Sequence, residues 1–233
     1  SSGYASNGAI IHYRATAATS KVIKDDSLYL LDSGGQYLEG TTDITRTMHL
    51  GEPTAEQKRH YTLVLKGHLA LSRSIFVHGT CGENLDVLAR APLWNEFLNY
   101  RHGTGHGVGS FLCVHEGPQK ISQASSGVPL LPGMVVSNEP GLYIDGSHGI
   151  RIENLCLVGE IDQLAAKNSE FGPFYKFEDL TLVPYCKKLI DVDLLSHEEK
   201  QQVKDYYQRI VDKVIPCLSE ELRVWTFNEL AVF

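Results

Sequence analysis

Apolar residues recur along this chain with two different spacings, and the changes of spacing mark its elements. Residues 9–13 and 27–31 are short apolar or aromatic runs bounded by turn formers, the signature of buried strands. Asp32 closes the second run, and Ser33, Gly34, Gly35 and Gln36 predict a turn after it. Residues 42–48 then alternate, which places Asp43, Thr45 and Thr47 on one strand face and predicts a hairpin that brings Asp43 to Asp32. Thr54 with Gln57 makes a capping-box pair ahead of Leu63, Leu65, Leu69 and Leu71, a helical pattern running toward Phe76. Asn84 is the expected cap of a second helix over 85–100. Beyond a glycine-rich stretch at 103–109, strand-like runs return at 134–137, 142–144, 150–158 and 180–183. A second capping box, Ser196 with Glu199, opens an amphipathic helix through Val203, Tyr206, Ile210 and Val214 that Pro216 stops. The pattern predicts an α+β fold with helices segregated from an antiparallel or mixed sheet.

Composition narrows the class. With 233 residues and 42% apolar content the chain can bury one substantial core. A formal net charge of -7 with no basic block argues against a nucleic-acid or anionic-membrane surface, and no segment has the apolar length of a membrane span. The five cysteines are scattered without a CxxC pair, which suits reduced thiols in a cytoplasmic protein.

Five residues change the picture: Asp32, Asp43, His106, Glu139 and Glu153. Each has an ordinary reading when taken singly: an Asx turn for Asp32, an exposed strand position for Asp43, a satisfied core imidazole for His106, a turn before Pro140 for Glu139, and a pair with Arg151 for Glu153. Jointly those readings draw four acids toward apolar strand ends with few basic residues beside them, and uncompensated burial of that kind is costly. Two divalent cations relieve it, and would account for part of the negative charge. The oxygen-rich set favours manganese, with cobalt or zinc able to occupy the same ligands. There is no GxSxG elbow, Walker loop or HExxH helix to support another chemistry.

The motifs that surround these residues are DSGGQY at 32–37, GTTDITRT at 40–47, HGTGHGVG at 102–109, HEGP at 115–118, NEPG at 138–141 and RIEN at 151–154, with GAIIHY at 8–13 and LTLVP at 180–184. In this order they resemble the Xaa-Pro aminopeptidases among the metal-dependent pita-bread peptidases. The resemblance implies a curved, mostly antiparallel sheet with helices on its outer face, the domain's opening helices absent. It implies a catalytic domain over 1–184 and a helical extension over 185–233. It makes Asp32, Asp43, His106, Glu139 and Glu153 the metal ligands, with Asp43 and Glu153 bridging or bidentate. Glu139, His115 and His102 become the catalytic residues, and His12, His102, His115, Tyr143 and Arg151 the groups around the substrate.

The function implied is hydrolysis of the N-terminal Xaa-Pro bond through a hydroxide held by two metals, with Glu139 as general base, His115 on the developing oxyanion, and His102 and His12 shaping the pocket. Proline's tertiary amide offers no N–H, so selectivity is expected from ring-shaped apolar space. A prolidase acting on Xaa-Pro dipeptides, a methionine aminopeptidase and a non-catalytic protein-binding module are the alternatives. A homodimer is expected from the resemblance and from the apolar, tyrosine-containing helix over 198–215.

Overall fold

The computed structural model describes residues 1–233. Its strands pair antiparallel throughout, as the α+β expectation requires. The first sheet has β1 (Ser2–Tyr4), β2 (Leu28–Tyr37) and β3 (Gly40–His49) in that order. Two helices follow, α1 (Ala55–Ser72) and α2 (Gly82–Trp94), with β4 (Ile75–Val77) between them. The short strands β5 (Gly105–His106) and β6 (Lys120–Ile121) pair with each other. Next come β7 (Val135–Asn138), β8 (Gly141–Ile144), β9 (His148–Arg151) and β10 (Asn154–Glu160). After the short α3 (Leu164–Lys167), β11 (Phe174–Asp179) completes a second sheet ordered β4-β11-β10-β7, while β8 and β9 form a hairpin. The chain ends in α4 (His197–Lys213) and α5 (Glu220–Leu230). No helix is long and apolar enough to cross a membrane.

Single bridges join these pieces. Thr45 of β3 pairs with Glu153, just ahead of β10, and Gly107, just after β5, pairs with Val136 of β7. The functional residues gather along this seam. Behind it α1 runs through the core, buried at Tyr61, Val64, Leu65 and Leu69. Its start is a closed capping box: Gln57 N–H donates to the Thr54 hydroxyl at 3.1 Å, and Thr54 N–H donates to Gln57 Oε1 at 2.9 Å. Gly67 lets α1 cross α2 closely, because a Cβ there would collide with the Ala89 carbonyl. One hydrophobic cluster joins Leu28, Tyr61, Val64 and Ile150 to Tyr185, Leu189, Val203 and Ile210, so residues beyond 184 share a core with those before it.

Several local expectations are corrected. Residues 9–13 are not a strand; Ala5–Ala9 is a 3-10 turn, and Ile10 and His12 are exposed, so the apolar run has no sheet to join. Ser33 to Gln36 do not turn. They continue β2 in register with β3, Gly34 opposite Asp43, and the reversal comes at Leu38 and Glu39. Asn84 lies inside α2, where its Oδ1 accepts from Cys81 N–H at 2.9 Å, and the helix ends at Trp94, ahead of the left-handed Phe97 (φ 60°). The 150–158 run is broken at Ile152 and Glu153, where Glu153 N–H turns to the Thr45 carbonyl at 3.1 Å. Residues 180–183 are not a strand, because side chains take the carbonyls of Thr181 and Val183 that a neighbouring strand would need. The second capping box opens α4 as expected. The apolar face of α4 at Val203, Tyr206, Tyr207 and Ile210 is spent on the core, so it gives no support to a dimer.

Candidate metal centre

The hairpin places Asp32 in mid-strand, opposite Thr45, and Asp43 two residues nearer the turn, opposite Gly34. Glu153 comes from the break between β9 and β10 and is 2% exposed. His106 sits on β5, held against β7 because its N–H donates to Ser137 Oγ at 2.9 Å. Glycine at 105 is what permits that approach, since a Cβ would meet the Ser137 carbonyl. Glu139 follows β7, its N–H donating to the Thr104 carbonyl at 2.7 Å. Four segments separated in sequence thus deliver five ligand-type side chains to one seam.

Their atoms form three overlapping groups: Asp32, Asp43 and Glu153; His106, Glu139 and Glu153; and Asp43, His106 and His115. Within each group one donor atom per residue lies within 4.8 Å of the others. The donors suit divalent ions, with carboxylate oxygens in excess and one imidazole common to two groups. Neighbours orient the carboxylates. Thr45 Oγ1 donates to Glu153 Oε2 at 2.6 Å, Ser137 Oγ donates to Glu139 Oε1 at 3.0 Å, and Arg151 Nη2 donates to Asp32 Oδ2 at 2.7 Å. Such outer contacts are typical of built metal sites.

The electrostatics show how strained this set is as a bare site. Burial pushes the Glu153 carboxyl well above the usual carboxylate range, and the charges of Glu139 and Asp43 push it the same way. Burial also acts on Glu139, but hydrogen bonding and charge from His106 outweigh it and hold this carboxyl below its ordinary value. For His106 burial disfavours the cation, yet its bonds to Asp43 and Glu139 dominate and raise it to about 10. Its Nε2 lies 3.5 Å from Asp43 Oδ2 and 3.2 Å from Glu139 Oε1. The His106 ring thus lies against two carboxylates of the set that would hold a divalent cation.

The expected shortage of basic partners is corrected in one respect. Arg151 is buried in the site and pairs with Asp32, so one of the four acids has a protein counter-charge. Arg151 does not bond Glu153. Its Nη1 donates to the Tyr143 hydroxyl at 2.9 Å and its Nε to Thr45 Oγ1 at 3.1 Å. His102 Nδ1 lies 2.7 Å from the Gly103 carbonyl, which assigns the proton to that nitrogen, and Nε2 then accepts from Tyr143 at 2.9 Å. Burial lowers the His102 pKa, consistent with a neutral ring, and raises Tyr143 to about 12.

A cavity of about 280 Å³ is lined by Asp32, Asp43, His106, Glu139 and Glu153 together with His12, His102, His115 and Arg151. Ile11 is its sole apolar lining residue, so the expected ring-shaped apolar space is replaced by imidazole faces and one aliphatic side chain. The cleft continues over the β2–β3 hairpin past Gly34, Gln36, Thr42 and Val114. Every site residue expected from sequence borders this region; Tyr143 does so through His102 and Arg151. The supporting contacts of Thr45 and Ser137 carry only a weak signal in sequence: Thr45 lies two residues from Asp43 on the same face of β3, and Ser137 lies two residues before Glu139.

The profile of metallopeptidase family M24 matches residues 1–160, and that of the C-terminal region of peptidase M24 matches 173–230. A protein of Botryotinia fuckeliana described as a probable Xaa-Pro aminopeptidase P is 54% identical over 211 residues, covering 89% of this chain and 32% of its own length. One of Tuber melanosporum with the same description is 54% identical over 211 residues, 89% of this chain and 33% of that one. The chain therefore spans about a third of the length of the curated relatives it matches. Among solved structures, the cytosolic X-prolyl aminopeptidase of Caenorhabditis elegans, described as having a di-nuclear active site, superimposes with TM-score 0.89 at 37% identity, over 99% of this chain and 37% of that one. A Pyrococcus furiosus prolidase gives 0.64 at 28% identity, over 78% and 48%. The pita-bread architecture is common to them, and this chain belongs to metallopeptidase family M24.

Proposed function

We propose that this chain is the catalytic part of an aminopeptidase that removes the residue preceding proline, with two divalent ions held by Asp32, Asp43, His106, Glu139 and Glu153. The observation that carries the reading is the sharing of Glu153 between two ligand groups, Asp32 with Asp43 and His106 with Glu139, the arrangement expected of a carboxylate spanning two ions. When bound, such ions supply Lewis acidity that makes water a nucleophile at neutral pH and polarises a carbonyl oxygen.

The chain's own residues do the rest. Glu139 accepts the proton of the attacking water on its carboxylate, which its neighbours keep ionised. His115, exposed and with its ring centroid 4.0 Å from that of His106, reaches into the cavity to hydrogen-bond the carbonyl oxygen as charge develops. His102 has both ring nitrogens engaged, so it acts by orienting Tyr143 and walling the pocket. Arg151 holds Asp32 in place. His12 lies at the mouth beside Ile11, and the flat faces of these groups suit a proline ring that offers no N–H.

Manganese fits the oxygen-rich set, with cobalt or zinc as substitutes. A cytosolic location follows the description of the nematode relative, and a homodimer follows the resemblance alone. The division at 184/185 is retained as two segments packed on one core. Relatives described as aminopeptidases reach 54% identity against 28% for the prolidase, which favours the aminopeptidase over the dipeptidase reading. The test uses full-length protein loaded with manganese and three peptides. A tripeptide with proline second should be cleaved, an Xaa-Pro dipeptide should be poor, and a Met-Ala peptide should be inert. Turnover of the dipeptide alone identifies a prolidase. Two bound ions with no turnover of any peptide identify a binding module.

A further inference from the structure

The C-terminal stretch, residues 173–230, supplies no member of the candidate ligand set, yet it touches that set through one side chain. Arg46 follows Thr45 on β3 and is 7% exposed. A buried guanidinium ordinarily has a carboxylate partner, because the cost of desolvating an unpaired cation is large. Arg46 has none within ion-pair distance. All its bonds go to neutral oxygens. Nη1 donates to the carbonyls of Glu153 at 2.8 Å and Thr45 at 3.0 Å. Nη2 donates to Asn154 Oδ1 at 2.8 Å, the Val183 carbonyl at 2.9 Å and the Tyr206 hydroxyl at 3.2 Å. Nε donates to the Pro184 carbonyl at 3.2 Å. Its carbon lies 5.1 Å from the centroid of the Tyr185 ring.

The partners divide into two sets by position. Thr45, Glu153 and Asn154 belong to the seam beside the first sheet, and Glu153, like Asp43, is a carboxylate shared between two ligand groups. Val183, Pro184, Tyr185 and Tyr206 belong to the C-terminal stretch. Asn154 also reaches the C-terminal stretch, its Nδ2 donating to Asp179 Oδ1 at 3.0 Å, but the planar guanidinium, with five donors in a fixed fork, is what joins that stretch to the Glu153 carbonyl itself. Tyr206 is itself fixed, since Val183 N–H donates to it at 3.1 Å and it donates to the Thr181 carbonyl at 2.9 Å. The break that frees Glu153 from β9 and β10 leaves its backbone with two partners outside its own strands: the Thr45 carbonyl on its N–H, and Arg46 on its carbonyl.

We propose that Arg46 is a positioning residue for Glu153, through which the C-terminal stretch holds the shared carboxylate where both ions need it. This rests on the two-metal reading of the site. It assigns that stretch a role in metal retention besides burying apolar surface. Removing the clamp should weaken the ion pair held by Glu153 more than it weakens the fold.

The test is a calorimetric titration of manganese into metal-free full-length protein, with melting temperature followed in parallel. Wild type should take up two ions. Arg46→Met, which keeps bulk but no donors, should lose affinity for the second ion by about 10–100-fold, the range seen when outer contacts of metal ligands are removed. Arg46→Lys should recover only part of it, because an ammonium cannot bridge both sets of oxygens. A core truncation remote from the seam, Phe177→Leu, serves as the control: at a comparable loss of melting temperature it should still bind two ions. Two ions bound at wild-type affinity by Arg46→Met overturn the proposal, as does equal metal loss in Phe177→Leu. Should Arg46→Met fail to fold, Tyr206→Phe decides, since it removes one oxygen from the guanidinium; unchanged affinity in that variant also overturns the proposal. If wild type itself binds fewer than two ions, the reading of the site falls, and the positioning role falls with it.

Discussion

Glu153 and His106 both hold their protons more tightly in the metal-free site than free side chains do, for different reasons. Burial and neighbouring carboxylates raise the first, and bonds to Asp43 and Glu139 raise the second to about 10 despite burial. A divalent ion needs the carboxylate ionised and the imidazole neutral, so binding must release protons and must strengthen as pH rises. Manganese titrations at pH 7 in buffers of different ionisation enthalpy should therefore give different apparent heats; identical heats in every buffer would contradict the assignment. Glu139 has the opposite character, held ionised by His106. Glu139→Gln keeps the shape and removes the proton acceptor, and is expected to lower kcat by about 10²–10⁴-fold while leaving the melting temperature near wild type. A rate within twofold of wild type would remove Glu139 from the mechanism.

At the scale of elements, helix geometry decides what substitutions do. In an isolated helix Gly67→Ala would gain about 1 kcal/mol from propensity. Here the methyl would meet the Ala89 carbonyl where α1 crosses α2, so the change should instead destabilise by roughly 1–3 kcal/mol through overpacking. Chemical denaturation gives the sign directly. The capping boxes of α1 and α4 were legible in sequence because their chemistry is local: two side chains and two backbone N–H groups within one turn. The strands were less so. Residues 180–183 carry a strand-like pattern, but Arg46 and Tyr206, remote in sequence, take their carbonyls. Periodicity records which residues are apolar, and says nothing of which distant side chain competes for a backbone oxygen.

For the molecule as a whole, the core contains histidines that fold without their protons. Burial lowers His68 to about 4 and also lowers His60 and His148, which lie 3.2 Å apart between Nδ1 and Nε2. The unfolded chain binds a proton at each near the ordinary imidazole value of 6.5, whereas folded His68 does not until about 4. The stability that His68 contributes is thus fully present above about pH 6.5 and is lost as pH falls toward 4, since at this residue the unfolded state binds more protons across that window. In the metal-free protein the raised His106 contributes with the opposite sign over the same window, so the check is a difference between variants and not the net slope. His68→Asn, which retains a donor toward the Asn138 carbonyl, should lose less stability than wild type between pH 7.5 and 5; an identical pH dependence of the two denaturation midpoints would exclude this role of His68.

The proposed donor set and the local punctuation were readable in the amino-acid order alone. Carboxylates and one imidazole in that order of motifs are chemical identities that need no coordinates, and the hairpin joining Asp32 to Asp43 spans few residues. How these residues are held together depends on contacts across the fold. Thr45 meets Glu153 across 108 residues, Arg151 meets Asp32 across 119, and Arg46 gathers oxygens up to 160 residues away. Contacts of that range leave no periodicity along the chain, because they arise where β3 meets the break before β10, and side chains there are chosen by what lies opposite in space.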